Sequence, residues 1–144
     1  MLNSESREQL EERKKLNSKP AYELEPLEAR IQFNKSKSIF PPQNINIKSI
    51  EDRKISANDT EIGIRIFTDK EDTIQPLLVN FHGGGWVLGD LDADDSMCRK
   101  LAQLTGFKVI SVDYRLAPEN KFPTPLQDCY KSLIYFFENY KEFN

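Results

Sequence analysis

"VNFHGGGWVLGD", residues 79–90, decides how the rest of the chain is read. Three adjacent glycines, half of the six in the chain, follow a short apolar run, and the only histidine, His82, stands directly before them. Adjacent glycines make a backbone costly to order, so the bare backbone needs a reason. Residues without Cβ let N–H groups point into open space beside a ligand. Two or three such donors, if convergent, hold a developing oxyanion. A tight turn is the plain alternative. A phosphate loop requires a Lys-Ser/Thr pair after its glycines, and none follows. A dinucleotide fingerprint requires glycine where Leu88 stands, and Gly89 comes one residue late. "DLDADD" from Asp90 opens like a calcium loop, but Asp95 stands where that loop needs Gly and Leu101 where it needs Glu. The acidic cluster is therefore expected to solvate a loop and cap a helix.

Outward from the glycines, the pattern is that of an α/β fold. "PLLVNF" before them is a continuous apolar run, expected as a strand buried on both faces. "DADDSMCRKLAQLTG" places Met97, Leu101 and Leu104 on one helical face, with Gly106 as the stop. "FKVISVDY" is a second buried strand. "PTPLQDCYKSLIYFFENYK" carries Leu126, Cys129, Tyr130, Leu133, Ile134 and Phe137 at three- and four-residue spacing, an amphipathic helix of about five turns. Strand, glycine loop, helix, strand, proline loop, helix implies a parallel sheet with right-handed crossovers. Ligands of such sheets sit at the carboxyl ends of the strands, where "HGGGW" lies. Upstream, "INIKSIEDRKIS" and "EIGIRIFTD" alternate apolar and polar residues, clearest at Ile62, Ile64 and Ile66, around the turn "SANDTE". That is an antiparallel hairpin.

Residues 1–44 differ from residues 45–144 and form an N-terminal helical segment. "SESREQLEERKKLN" has strong helix formers, a cap at Ser4 or Ser6, and only Leu10 and Leu16 as apolar anchors, so it is a mostly solvated helix. "KPAYELEPLEARIQFNKSKSIFPPQ" has four prolines and is expected as irregular or short helical pieces ending at Pro41-Pro42.

Composition bounds the rest. A chain of 144 residues is enough for one domain. Its net charge of −3 comes without a basic stripe and argues against a nucleic-acid binder. Cys98 and Cys129 lack metal or redox spacing and are expected as buried free thiols. No cofactor or metal is expected. The N-terminus has no apolar leader and no run reaches membrane-spanning length, which makes the cytoplasm the expected location.

"HGGGW", followed about thirty residues later by "VDYRLAPENKFPTPLQD", resembles the hormone-sensitive-lipase-like carboxylesterases of the α/β-hydrolase superfamily. The resemblance is close over residues 45–144 and loose before them. It implies that the N–H groups of Gly84 and Gly85 are the oxyanion donors, with Gly83 shaping the turn. It makes His82 structural, hydrogen-bonded to fix the loop, and puts Trp86 near the substrate cleft. Asp113, Tyr114, Arg115 and Pro118 would brace the loop after the next strand and take no part in the chemistry.

Such an esterase needs a serine on a Gly-x-Ser-x-Gly elbow, then an acid, then a histidine. No serine here lies between glycines at that spacing, and His82 is already used. The resemblance accounts for this: in the family the elbow strand follows the helix matching "PLQDCYKSLIYFFENY". The chain is thus expected to be the N-terminal part of a truncated α/β-hydrolase fold, inactive alone on a small ester substrate. Two alternatives stay open. One is half of a split esterase, complemented by a separate C-terminal chain. The other is a non-catalytic binding or interaction protein. Without the next strand, the "PLLVNF" strand is expected as an open edge and the chain as self-associating.

Overall fold

The computed structural model describes residues 3–15, 18–37, 43–57, 60–70 and 74–143, with the backbone alone at Glu5, Gln9 and Arg13. The chain divides into two units, Met1–Pro42 and Gln43–Asn144.

The first unit holds helix α1 (Ser4–Lys15), a single 3-10 turn (Ala21–Glu23) and helix α2 (Pro26–Lys37). The cap of α1 is Asn3, whose side-chain oxygen accepts the Ser6 N–H at 2.7 Å. The expected Ser4 and Ser6 lie inside the helix instead. Asn3 precedes the first helical residue, where a short polar side chain can turn back onto a free N–H. Leu10 is exposed, in keeping with a solvated helix, and Leu16 lies outside the described residues. α2 is a regular helix where short pieces were expected. Pro26 opens it at the one position where a missing N–H costs nothing. Glu28 in the first turn and Lys35 and Lys37 in the last turn match the helix dipole. The Pro41-Pro42 stop falls outside the described residues.

The second unit is a four-stranded sheet in the order β1-β2-β4-β3, with β1 at Ser49–Ser56, β2 at Glu61–Thr68, β3 at Leu77–Phe81 and β4 at Lys108–Asp113. β1 and β2 form the antiparallel hairpin, with Ile55 opposite Ile62 and the Ala57 N–H closing the turn onto Thr60 O at 3.0 Å. β2 pairs antiparallel with β4, and β4 pairs parallel with β3. The crossover from β3 to β4 carries helix α3 (Asp95–Thr105), and helix α4 (Thr124–Glu138) follows β4.

Strand alternation sends side chains to two faces. Ile62, Ile64, Ile66, Ile110 and Val112 meet Cys129 and Phe136 of α4 on one face. On the other, Phe67 and Val109 meet Cys98 and Ala102 of α3. β3 is half-buried rather than buried on both faces, because only β4 flanks it and it forms the sheet edge.

Both helices present only part of the face that their apolar spacing suggests. In α3 Leu101 packs against the core as expected, beside the small residues Cys98 and Ala102 that let the helix approach closely, while Met97 and Leu104 are exposed. Gly106 ends it in the left-handed conformation, as expected. In α4 the inward residues are Pro125, Asp128, Cys129, Ser132 and Phe136. Of the expected stripe only Cys129 is buried; Leu126, Tyr130, Leu133, Ile134 and Phe137 are exposed. The helix is rotated so that Asp128 reaches Arg115.

Candidate active site

The glycine loop follows the carboxyl end of β3, beside the loop that leaves β4 through Tyr114. Its backbone is held by its carbonyls. The His82 carbonyl accepts the Tyr114 hydroxyl at 2.6 Å. The Gly83 carbonyl lies 2.9 Å from His82 Nδ1. The Gly84 carbonyl accepts the N–H groups of Val87 at 3.2 Å and Leu88 at 2.9 Å. In a trans peptide the N–H points opposite to the C=O of the same plane. Three captured carbonyls therefore turn the N–H groups of Gly83, Gly84 and Gly85 outward from the groups that hold the loop. No acceptor among the described residues meets any of the three. An array of fixed donors without internal partners suits a negatively charged oxygen.

The glycines are not interchangeable. Gly84 has φ +137°, and a Cβ there would lie 2.1 Å from Leu88 O. Gly85 has φ +62°, but a Cβ would meet nothing within 4 Å, and Gly83 is equally open. That open space lies beside the donors. Trp86 also has a positive φ, 66°. Its carbonyl accepts the Ala117 N–H at 2.8 Å, which ties the glycine loop to the loop after β4. Its half-exposed indole meets the Tyr114 ring edge-on, with centroids 5.5 Å apart.

His82 is 3% exposed and stacks on Tyr114 with ring centroids 4.3 Å apart. Its contacts are to backbone and to Tyr114, and its Nε2 is buried without a partner among the described residues. Burial pushes the Tyr114 phenol up to about 12, so it stays protonated.

The other residues singled out in the sequence spread around this centre. Arg115 binds Asp128 of α4 through two side-chain nitrogens and its backbone N–H. Pro118 is exposed behind a cis Ala117-Pro118 peptide. Asp113 ends β4 opposite Gly63. Its side chain is exposed, yet desolvation by its surroundings raises its carboxyl above the ordinary Asp value; Arg65 opposes the rise, and Asp90 and Asp92 add to it.

The acidic run serves Arg65 rather than a cation. Arg65 pairs with Asp52 at 2.7 Å, Asp92 at 2.7 Å and Asp95 at 3.3 Å, pinning the segment before α3 to the hairpin. Asp94, at the start of α3, makes no side-chain cap bond and instead accepts from Asn80 at 3.1 Å. Among the described residues no three His, Cys, Asp or Glu side chains converge as a metal site. Cys98 and Cys129 are buried free thiols, pushed up to about 12 and about 11 by burial.

Three contributors went unrecognised in the sequence. Leu88 closes the loop through its backbone. Gly89 packs so tightly on His82 that a Cβ would lie 2.2 Å from Nδ1. Asp128 is the buried partner of Arg115. Backbone roles leave no side-chain signal. Gly89 was visible only as a glycine out of register. Asp128 was signalled by its place, a carboxylate in line with Thr124 and Ser132 along one helix face.

An antiparallel hairpin, a parallel pair joined through a helix, and a donor-rich glycine loop after β3 describe the opening of an α/β hydrolase. A family model described as alpha/beta hydrolase fold matches residues 78–144. An arylesterase of Saccharolobus solfataricus is 43% identical over 88 residues, covering 61% of this chain and 29% of the relative. A carboxylic ester hydrolase of Mycobacterium tuberculosis is 39% identical over 100 residues, covering 69% of this chain and 26% of the relative. The solved esterase of Pyrobaculum calidifontis superposes with a TM-score of 0.81 at 37% identity, over 90% of this chain and 43% of that one. The chain belongs to the α/β-hydrolase family, is similar to esterases within it, and spans less than half the length of these relatives. No described helix is long and apolar enough to cross a membrane.

Proposed function

We propose that this chain supplies the oxyanion-binding part of a carboxylic-ester hydrolase. The observation that carries the reading is the set of three captured carbonyls, which leaves the N–H groups of Gly83, Gly84 and Gly85 without acceptors among the described residues. In the proposed reaction a serine hydroxyl attacks the carbonyl carbon of a small ester. The carbonyl oxygen gains the charge, and the N–H groups of Gly84 and Gly85 hold it, with Gly83 beside them. Collapse of the tetrahedral intermediate expels the alcohol and leaves an acyl-serine, which water then hydrolyses. No Gly-x-Ser-x-Gly occurs among these 144 residues and His82 is held in the loop, which supports a nucleophile, acid and base supplied from outside them.

A second reading, a split esterase completed by a separate chain, is favoured by β3 at the sheet edge and by the exposed apolar side of α4. Both surfaces suit a further strand and helix.

The test is to produce the chain alone and together with the polypeptide encoded immediately downstream. Each preparation is assayed on p-nitrophenyl acetate and butyrate and labelled with a fluorophosphonate. The chain alone is expected to show neither turnover nor label. The pair is expected to show both, with the labelled serine outside these residues, and Gly84→Val is expected to abolish turnover. A labelled serine within residues 1–144, or an active pair indifferent to Gly84→Val, overturns the reading. Co-purification as two chains separates the split enzyme from a single longer one.

A further inference from the structure

We propose that Tyr114 is a positioning residue for the glycine loop: its hydroxyl fixes the His82 carbonyl and so aims the Gly83 N–H, while its ring stacks on the imidazole whose Nδ1–H captures Gly83 O and so aims the Gly84 N–H. The catalytic consequence rests on the ester-hydrolase reading; the geometry does not.

The hydroxyl proton is committed first. Tyr114 Oη donates to His82 O at 2.6 Å, and a carbonyl oxygen can only accept. The lone pairs of the same oxygen are then free for His82 Nδ1, 3.3 Å away. Nδ1 carries a proton, because its nearer neighbour, Gly83 O at 2.9 Å, is also an acceptor only. One imidazole proton thus faces two acceptors, Gly83 O and Tyr114 Oη. Nε2 is buried and meets no donor or acceptor among the described residues, so the choice of tautomer is made on the Nδ1 side. The near-parallel rings, 13° apart, keep imidazole and phenol in register.

The consequence passes through two rigid peptide planes. Holding His82 O sets the direction of the Gly83 N–H, and holding Gly83 O sets that of the Gly84 N–H. The third plane is independent: Gly84 O is held by Val87 and Leu88, so the Gly85 N–H does not depend on Tyr114. One loop thus contains a reporter of the hydroxyl, Gly83, and two internal controls. A Tyr114 that merely filled space would disturb all three glycines or none.

The test uses the full chain labelled with 15N at histidine and glycine, which gives one imidazole and six glycine amides. In the wild-type chain Nδ1 is expected to give a protonated, pyrrole-type signal and Nε2 a bare, pyridine-type one. A protonated Nε2 with a bare Nδ1 overturns the proposal without any variant. Tyr114→Phe keeps the ring and removes the hydroxyl. It is expected to shift Gly83, whose peptide plane loses its anchor, while the imidazole stays Nδ1-protonated against Gly83 O and Gly84, Gly85 and Gly106 stay in place. An unchanged Gly83, an imidazole driven to the Nε2-protonated form, or equal shifts at every glycine overturns it. In the ester-hydrolysing pair, Tyr114→Phe is expected to lower kcat by about tenfold with KM nearly constant. An unchanged kcat in an active pair also overturns the proposal. If the wild-type pair does not hydrolyse esters, the functional reading fails and the nitrogen spectra alone decide Tyr114.

Discussion

Arg115 closes on Asp128 with a two-pronged grip, Nε to Oδ2 at 2.8 Å and Nη2 to Oδ1 at 2.7 Å, while its backbone N–H reaches the same carboxylate at 3.1 Å. The two partners differ in exposure. Asp128 is 0% exposed, whereas 40% of the Arg115 side chain remains in water. Removing the arginine leaves a buried carboxylate with little compensation. Removing the aspartate leaves a cation that water can solvate. Arg115→Ala is therefore expected to destabilise the chain by about 2–4 kcal/mol, below the figure for a fully buried pair because Arg115 is partly solvated. Asp128→Asn is expected to cost less. The double variant should cost less than the sum of the two. Urea midpoints followed by far-ultraviolet circular dichroism check the order, and equal costs for the two single changes would contradict it.

The glycine loop offers a ranking of a different kind. An alanine at 84 places Cβ 2.1 Å from Leu88 O, and one at 89 places it 2.2 Å from His82 Nδ1, both at positive φ. At 85 φ is also positive, but the space is open. Gly84→Ala and Gly89→Ala are expected to cost roughly 3 kcal/mol or more through clash and strain. Gly85→Ala should cost only about 1–2 kcal/mol, the left-handed penalty alone. The same denaturation measurement decides, and a Gly85→Ala as costly as Gly84→Ala would show that the loop is not held as described.

Much of this was legible in the residues. Period-two isoleucines marked the hairpin, apolar runs separated by a helical pattern marked the parallel pair, and "HGGGW" marked the loop. Helix rotation was not legible. Spacing alone put Leu126, Leu133 and Phe137 of α4 inward, yet the face turned to the sheet is a mixed one of Asp, Cys, Ser and Phe, on which Asp128 meets Arg115 and Cys129 and Phe136 join the core. In α3, close approach favoured Cys98 and Ala102 over the larger Met97 and Leu104. Periodicity reports which residues share a face; it does not say which of two possible faces meets the sheet. Nor does it show carbonyl capture, which depends on backbone direction and not on side-chain type.

Asp113 carries a pH signature of known sign. Desolvation of a side chain that still meets solvent, with Asp90 and Asp92 adding to it and Arg65 opposing, raises its carboxyl above the ordinary Asp value of about 3.9. The folded chain then holds this proton more tightly than the unfolded chain. The associated stability is fully present below the unfolded value and is lost as pH rises through the raised folded value. Asp113→Asn should thus be more stable than the wild-type chain at pH 7, with the difference fading as pH falls below about 4. Asp52, held down by its hydrogen bond to Arg65, contributes in the opposite direction, but it does so in both proteins and drops out of the comparison. Melting curves of the pair across that range test the sign, and a variant less stable at pH 7 would reverse it.

The last expectation concerns surfaces the described residues leave open. β3 has β4 on one side only, and along Leu77–Phe81 it carries neither charge nor proline to discourage pairing. On α4, Leu126, Tyr130, Leu133, Ile134 and Phe137 are exposed, Phe137 at 80%. Apolar side chains along one helix and an open apolar edge favour association with other copies in the absence of a better partner. The isolated chain is thus expected to self-associate and to bind hydrophobic dyes. Phe137→Glu together with Leu133→Lys should reduce both effects at little cost in stability, because these side chains make no core contact to lose. Light scattering across a dilution series, with dye fluorescence in parallel, measures the change. A monodisperse wild-type monomer with a sharp cooperative melt would refute the expectation. Association unchanged by the double substitution would instead assign it to the β3 edge, where backbone groups and not side chains supply the pairing.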